Sequence, residues 1–406
     1  MKRLVICCDG TWNKPGNQNV TNIEKIARTV ETDLRETQPT QQLVHYIGGV
    51  GTSYGVDRLL GGAFGLGLFN HVITAYRFLA LNYQPGDQIF VFGFSRGAYT
   101  ARSLVGMISK VGLLTREAVI ADKLPEAEAR YRGKSMKGMP KFGSDNAEFK
   151  RDHCHTDLRV AFLGVFDTVG QYGVPGPFKN RYKFLDVKLS PVVVCARQAL
   201  AIDERRIKFE PCLWEVKEKH DDPGRVKQVW FEGVHSDVGG GYQTTGLSDT
   251  TLLWMLREAN MQGLAFNTTL LSRYLESNSP AERHQSLTIV YRVLNLVGRV
   301  RNLLRKNSPF RGSWRRIDGA QARDVRIASS AQNHFESDDK DYRPPNIAMF
   351  KAESGGWEEG TSTFPVIALP EPAGLLDRLT DLKRLQKNPD EAEYVDLSLA
   401  NQTRLE

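Results

Sequence analysis

The sequence predicts an α/β protein, a doubly wound and mostly parallel sheet with helical cap insertions, and three observations predict it. Short apolar runs rich in β-formers recur at 3–8, 43–47, 89–92, 160–166 and 228–234, the pattern of strands buried on both faces. Apolar residues at helical spacing fill 22–34 and 69–83 between them. Four of the runs lead into Asp9, Ser95, Asp167 and His235, and the carboxyl edge of such a sheet is where ligands bind.

Taken in order, Arg3 to Cys8 reads as a central strand closed by Asp9-Gly10-Thr11-Trp12-Asn13. Asp9-Gly10 is either a simple turn or the start of a loop whose backbone N–H groups at Gly10 and Thr11 face a developing oxyanion. Ile23, Ile26, Ala27, Val30 and Leu34 then fall on one helical face, suited to covering the sheet. Leu43 to Ile47 is a second strand, followed by Gly48-Gly49-Val50-Gly51-Thr52 and a glycine-rich stretch from Leu59 to Leu68. So many glycines argue against a helix interior, and no Gly-Lys-Ser/Thr ending supports a phosphate cradle. A closely packed loop is expected there, with the lining of an acyl pocket or a lid as the alternative. Val72, Ile73, Tyr76, Leu79, Ala80 and Tyr83 mark a helix that stops at Gln84-Pro85-Gly86-Asp87.

The stretch Gln88 to Arg102 carries the sharpest signal. Ile89-Phe90-Val91-Phe92 leads into Gly93-Phe94-Ser95-Arg96-Gly97, and an Ala-rich helical stretch follows. Strand, turn and helix around Gly-x-Ser-x-Gly are the context of a nucleophile elbow. Gly93 and Gly97 flank a turn so sharp that a Cβ at either would collide with the neighbouring strand or helix. Ser95 stands at the tip, and the N–H of Arg96, at the start of the helix, is placed to hold an oxyanion.

Residues 115–157 are charged and broken by Pro125, Gly133, Gly138, Pro140 and Gly143, which reads as an insertion on the active-site side. His153-Cys154-His155 within it is a poor metal site, because adjacent residues on one loop seldom face one ion. Val160 to Phe166 is another buried strand, closed by Asp167-Thr168-Val169-Gly170. An acid there can orient a histidine; the simpler reading is an Asx turn or helix cap. Ser190 to Ile207 reads as a helix, and Gln228 to Val234 as the last clear strand. It ends in His235-Ser236-Asp237-Val238-Gly239-Gly240-Gly241-Tyr242, where Asp237 is placed to pin the loop. Ser95, Asp167 and His235 each follow a separate strand, in the chain order of an α/β-hydrolase triad.

The 406 residues, 41% hydrophobic and 25% charged, have a globular composition. No apolar run approaches the roughly 20 residues of a membrane span, and Met1-Lys2-Arg3 opens directly on a strand without a secretory signal. Five cysteines without C-x-x-C spacing read as thiols in a reducing compartment, so a cytoplasmic protein is expected. A net charge of +7 suits either an anionic partner or a mildly basic enzyme. The segment 291–316 alternates eight arginines and lysines with large apolar residues; it is either a packed helix with a solvated face or a surface for peripheral contact with anionic membrane. The core is expected over 1–264, with 265–406 a helical or irregular extension packed on it and a peripheral tail from Leu375.

Several blocks together are more specific than the elbow alone: CDGTWN, GVGT, GGAFGLGL, GFSRGAYTAR, FDTVG, ALAIDERR, and VWFEGVHSDVGGGY followed by GLSD. In these blocks the sequence resembles the DUF2235 group of α/β-hydrolases, which includes catalytic domains of phospholipases delivered by bacterial type VI secretion. The resemblance spans about residues 4 to 264. It implies Ser95 as nucleophile, Asp167 as acid and His235 as base, and ester hydrolysis of glycerophospholipids or related lipids. Residues 327–346 resemble the group's closing segment, but Ala328-Ser329-Ser330 departs from its His-containing form, so no role is carried there.

The expectation is a serine esterase acting on lipid or phospholipid carboxylic esters through an acyl-enzyme, with no cofactor or metal. One alternative keeps the triad for soluble esters or thioesters. The other is a basic binding module with a non-functional triad, although no specific nucleic acid is expected.

Overall fold

The structure, a computed structural model, describes residues 1–10, 18–33, 40–49, 61–133, 146–169, 189–214, 224–275, 282–287, 295, 310–311, 314–317, 325–338 and 341–353. The strands are β1 (Lys2–Cys8), β2 (Gln41–Ile47), β3 (Gln88–Phe94), β4 (Val160–Phe166), β5 (Val193–Ala201), β6 (Val226–Phe231), a short antiparallel pair β7 (Phe310–Arg311) and β8 (Trp314–Arg315), and β9 (Val325–Ile327). Seven of them form one sheet in the order β2-β1-β3-β4-β5-β6-β9, with every neighbouring pair parallel. The strand order reverses about β1, so the crevice between the ends of β1 and β3 is the topological switch point.

Helices cover both faces because each central strand is apolar on both. In β1, Leu4, Ile6 and Cys8 enter one core cluster while Val5 and Cys7 enter the other. The first face is closed by α2 (Gly61–Asn82) and α3 (Arg96–Val111), which bring in Val72, Tyr76, Leu79, Leu104 and Met107. The second is closed by α1 (Asn22–Thr29) and α8 (Gly246–Met261), through Ile23, Ile26, Leu252, Trp254 and Leu256. Each such side chain contributes roughly 1.5–3 kcal/mol on burial. Thr21 caps α1 by accepting from the N–H of Glu24.

The observed fold departs from the sequence-based expectation in four places. The helix expected over 190–207 is instead strand β5, buried at eight of its nine positions. Its alanines suggest a helix in isolation, but covered faces remove the alternation that identifies a strand, and β4 and β6 both hydrogen-bond to it. The glycine-rich stretch from Gly61 belongs to α2 rather than to a loop. A glycine costs about 1 kcal/mol in a helix, and the apolar face formed by Phe69, Val72, Tyr76 and Leu79 outweighs it.

The third is the insertion, in which α4 (Arg116–Ile120), α5 (Leu124–Arg132) and α6 (Ala147–His153) are described. Tyr131 donates its hydroxyl to the carbonyl of Ser103, and Lys150 donates to that of Ser109. The insertion therefore packs on the far half of α3, away from Ser95. His153, Cys154 and His155 in it face Phe149, the Val111 carbonyl and Tyr83 respectively, so they do not converge on one ion.

The fourth is that the extension after residue 264 is part of the sheet. β9 pairs with β6 through Gln228, Val229 and Trp230. Behind it α10 (Ser329–Glu336) and α11 (Pro345–Glu353) close a third apolar cluster containing Trp230, Ile327, Tyr342, Ile347 and Phe350. The short helices α7 (His235–Gly239) and α9 (Thr268–Ser272) complete the described elements. None of the described helices is long and apolar enough to cross a membrane. All five cysteines are free thiols, with Cys212 half-buried and the others buried. The tail from Leu375 lies outside the described residues.

Candidate active site

Ser95 sits between β3 and α3 with φ 57° and ψ −119°, a conformation that a non-glycine residue holds only when its surroundings enforce it. The ladder enforces it from one side, since the N–H of Ser95 donates to the carbonyl of Phe166 at 3.0 Å. Close packing enforces it from the other. A Cβ on Gly93 would lie 2.6 Å from the Cα of Ala98 in α3. One on Gly97 would meet the carbonyl oxygens that end β1. Both flanking glycines are thus required by backbone approach. Arg96 is the first residue of α3, where N–H groups have no intrahelical acceptor.

Asp167 follows β4, the neighbour of β3, and also has a positive φ of 38°. Its N–H donates to the carbonyl of Ala199 at 2.7 Å and its Oδ1 accepts from the N–H of Ala201 at 3.1 Å. The side chain is fully buried. His235 begins α7 after β6, and Asp237 braces that turn by accepting from the N–H of Val234 at 2.9 Å. His235 Nδ1 lies 2.5 Å from Asp167 Oδ2, and Nε2 lies 2.8 Å from Ser95 Oγ. The structure therefore joins the three residues in one hydrogen-bonded line. The imidazole is held between Phe94, at 4.7 Å between ring centres, and the edge of Phe209, at 4.9 Å.

Electrostatics polarise this line. Burial pushes the Asp167 carboxyl up, but the guanidinium of Arg315 and the bonds from His235 and Arg315 outweigh it and hold it well below the usual carboxylate range. Arg315 Nη1 and Nη2 donate to the two carboxylate oxygens at 2.7 and 3.1 Å. Burial lowers the His235 pKa, and the neighbouring Asp167 only partly restores it. At neutral pH the imidazole is therefore uncharged. That leaves one ring nitrogen to donate to Asp167 and Nε2 to accept from the Ser95 hydroxyl.

At the end of β1, Asp9 is buried and accepts from Thr21 Oγ1, Tyr46 Oη and the N–H of Gly10, each at 2.6 Å. Burial raises its pKa to about 6 against the pull of those donors. The Gly10 N–H is thus already engaged, and Thr11 lies outside the described residues. On the other side of His235, Glu204 is buried and accepts from the N–H of His235 at 3.3 Å and from Arg206. Asp237 is bound by His284, whose Nδ1 lies 2.7 Å away. A cleft of about 610 Å³ opens beyond this pair, lined by Asp203, Arg205, Arg283 and His284.

The basic segment 291–316 needs correction where it is described. Arg315 is fully buried against Asp167 and so is not a membrane-facing cation, while Trp314 is half-buried with the Arg205 guanidinium over its ring and Arg316 is exposed. Most of the remaining segment is outside the described residues. Sequence reasoning missed Arg315 because nothing local separates it from the other cations around it. Glu204 and Arg206 sit in a block that carried the resemblance without a role, and Phe94 and Phe209 carry no chemical signal at all.

The family described as "T6SS, Phospholipase effector Tle1-like, catalytic domain" matches residues 2–258. An uncharacterized protein of Saccharomyces cerevisiae is 33% identical over 229 residues, 52% of this chain and 32% of the yeast protein. The chain therefore spans about a third of the length of that curated relative. Among solved structures, a Tle1 effector bound to the VgrG spike of the type 6 secretion system is 22% identical, with 60% of this chain and 52% of that one covered and a TM-score of 0.35. An uncharacterized protein from Pseudomonas aeruginosa is 15% identical, with coverage of 94% and 66% and a TM-score of 0.40. On the match over residues 2–258, the chain belongs to the Tle1-like catalytic-domain family of type VI secretion phospholipase effectors.

Proposed function

We propose that this chain is a serine hydrolase of lipid carboxylic esters, phospholipids first among them, acting through Ser95, His235 and Asp167. The observation that carries the reading is the line from Ser95 Oγ to His235 Nε2 at 2.8 Å and from Nδ1 to Asp167 Oδ2 at 2.5 Å. It lies beside the switch point of the sheet, and the family is one of phospholipase catalytic domains.

In this mechanism Ser95 Oγ attacks the ester carbonyl carbon as its proton passes to His235 Nε2. Asp167 keeps the ring in the tautomer with the proton on Nδ1 and stabilises the imidazolium that forms. The N–H of Arg96 holds the oxyanion, with the second donor from the loop after β1, where Thr11 is the candidate because Gly10 already donates to Asp9. The imidazolium returns its proton to the leaving alkoxide, and the acyl group stays on Ser95. Water then repeats the sequence, with His235 taking its proton, and the carboxylic acid is released. General base catalysis of this kind contributes typically 10²–10⁴-fold.

The test is fluorophosphonate labelling of wild type and Ser95→Ala, run beside hydrolysis of mixed phospholipid vesicles. Labelling and fatty-acid release in wild type alone are the expected result. Retained turnover in folded Ser95→Ala would overturn the mechanism, and labelling without lipid turnover would move the substrate to soluble esters.

A further inference from the structure

We infer that Arg315 is the positioning residue of the triad, so that the C-terminal extension completes a site whose reacting residues all lie in the family-matched segment. Ser95, Asp167 and His235 fall within residues 2–258, whereas Arg315 lies outside it. The inference rests on the triad reading proposed above.

The geometry is that of a built clamp. Arg315 and Asp167 are both fully buried, and the guanidinium bridges both carboxylate oxygens at 2.7 and 3.1 Å. A planar fork matched to a carboxylate fixes the orientation of the acid as well as its charge. The same guanidinium donates to the Ala201 carbonyl at 3.0 Å and to the Phe209 carbonyl at 2.6 Å. Phe209 is the ring whose edge packs on His235. One side chain therefore holds the acid and one wall of the histidine slot. Arg315 is anchored through β8, with Trp314 stacked under Arg205 and Ile317 buried in the third apolar cluster.

Its charge also has a chemical consequence. Asp167 faces His235 from α7 and Arg315 from β8, while His235 additionally faces Glu204 and Arg206 from the segment after β5. By neutralising Asp167, Arg315 weakens the support that carboxylate gives an imidazolium. His235 then stays neutral, and able to accept a proton, at lower pH.

The experiment follows fluorophosphonate inactivation of the full chain against pH in wild type, Arg315→Lys and Arg315→Met, with folding checked by thermal melting. This reports activation of Ser95 without a lipid interface. Arg315→Met is expected to inactivate roughly 100-fold more slowly, with its acidic limb moved up by about one pH unit as His235 gains basicity. Arg315→Lys keeps the charge but loses the fork, so about a tenfold slower rate with the limb near wild type is expected. A folded Arg315→Met with the wild-type limb would overturn the inference. If that variant does not fold, Arg315→Lys decides, and a wild-type rate there overturns it. Absence of labelling at Ser95 in wild type would instead overturn the triad reading, and this inference with it.

Discussion

Gly97 passes so close to the end of β1 that a Cβ on it would stand 2.1 Å from the carbonyl oxygen of Cys8. That approach joins the helix that begins at Arg96 to the strand that leads into Asp9, and neither backbone can move without breaking sheet or helix hydrogen bonds. Gly97→Ala is expected to destabilise the protein by about 4 kcal/mol or more, in the range reserved for steric violations of this kind. Urea unfolding checks it, and a loss below about 1 kcal/mol would mean that the elbow relaxes freely.

Asp167→Asn is expected to lower kcat by about 10³–10⁴-fold, because an amide can donate to Nδ1 and favour the tautomer with its proton on Nε2. It also takes from the buried Arg315 its hydrogen-bonded carboxylate, so a lower melting temperature accompanies the loss. Steady-state kinetics and thermal melting measure the two effects separately.

The acidic limb of kcat/KM is expected below the ordinary histidine value of 6.5, since burial lowers the His235 pKa more than Asp167 restores it. A pH–rate profile on a soluble ester, with the fold verified at each pH, would contradict this by placing the limb above that value.

The Asp203 carboxyl, which lines the cleft, is pushed up to about 7 chiefly by burial, from an ordinary carboxylate value of 3.8. A raised carboxyl binds its proton more tightly in the folded state than in the unfolded one. Its contribution to stability is therefore fully present below about pH 4 and is lost as pH rises toward 7. Wild type is expected to lose on the order of 3 kcal/mol relative to Asp203→Asn between pH 4 and 8. Denaturant titrations of both proteins at a series of pH values measure this, and parallel curves would show that Asp203 ionises normally.

Much of the sheet and the residues of the proposed triad could be read from sequence because their signals are local. The runs that became β1, β3 and β4 are continuous apolar blocks, and Ser95, Asp167 and His235 each stand just beyond a strand end. β5 was hidden because Ala196, Ala199 and Ala201 fit either element until both neighbours are known. Arg315 was hidden for a different reason: its partner lies 148 residues away in sequence, and only the docking of β8 brings the two together.

The lateral pairing of β9 with β6 has a consequence for how this protein can be divided. An excised segment ending at residue 258 would leave the backbone groups that β6 directs toward β9, the Trp230 carbonyl among them, unpaired along an open strand edge. It would also uncover Leu200, Ile202 and Trp230, which Tyr342, Ile347 and Phe350 now shield. An unprotected strand edge beside an apolar surface is a template for self-association. The shortened protein would be drawn toward aggregation even with every residue of its family match in place.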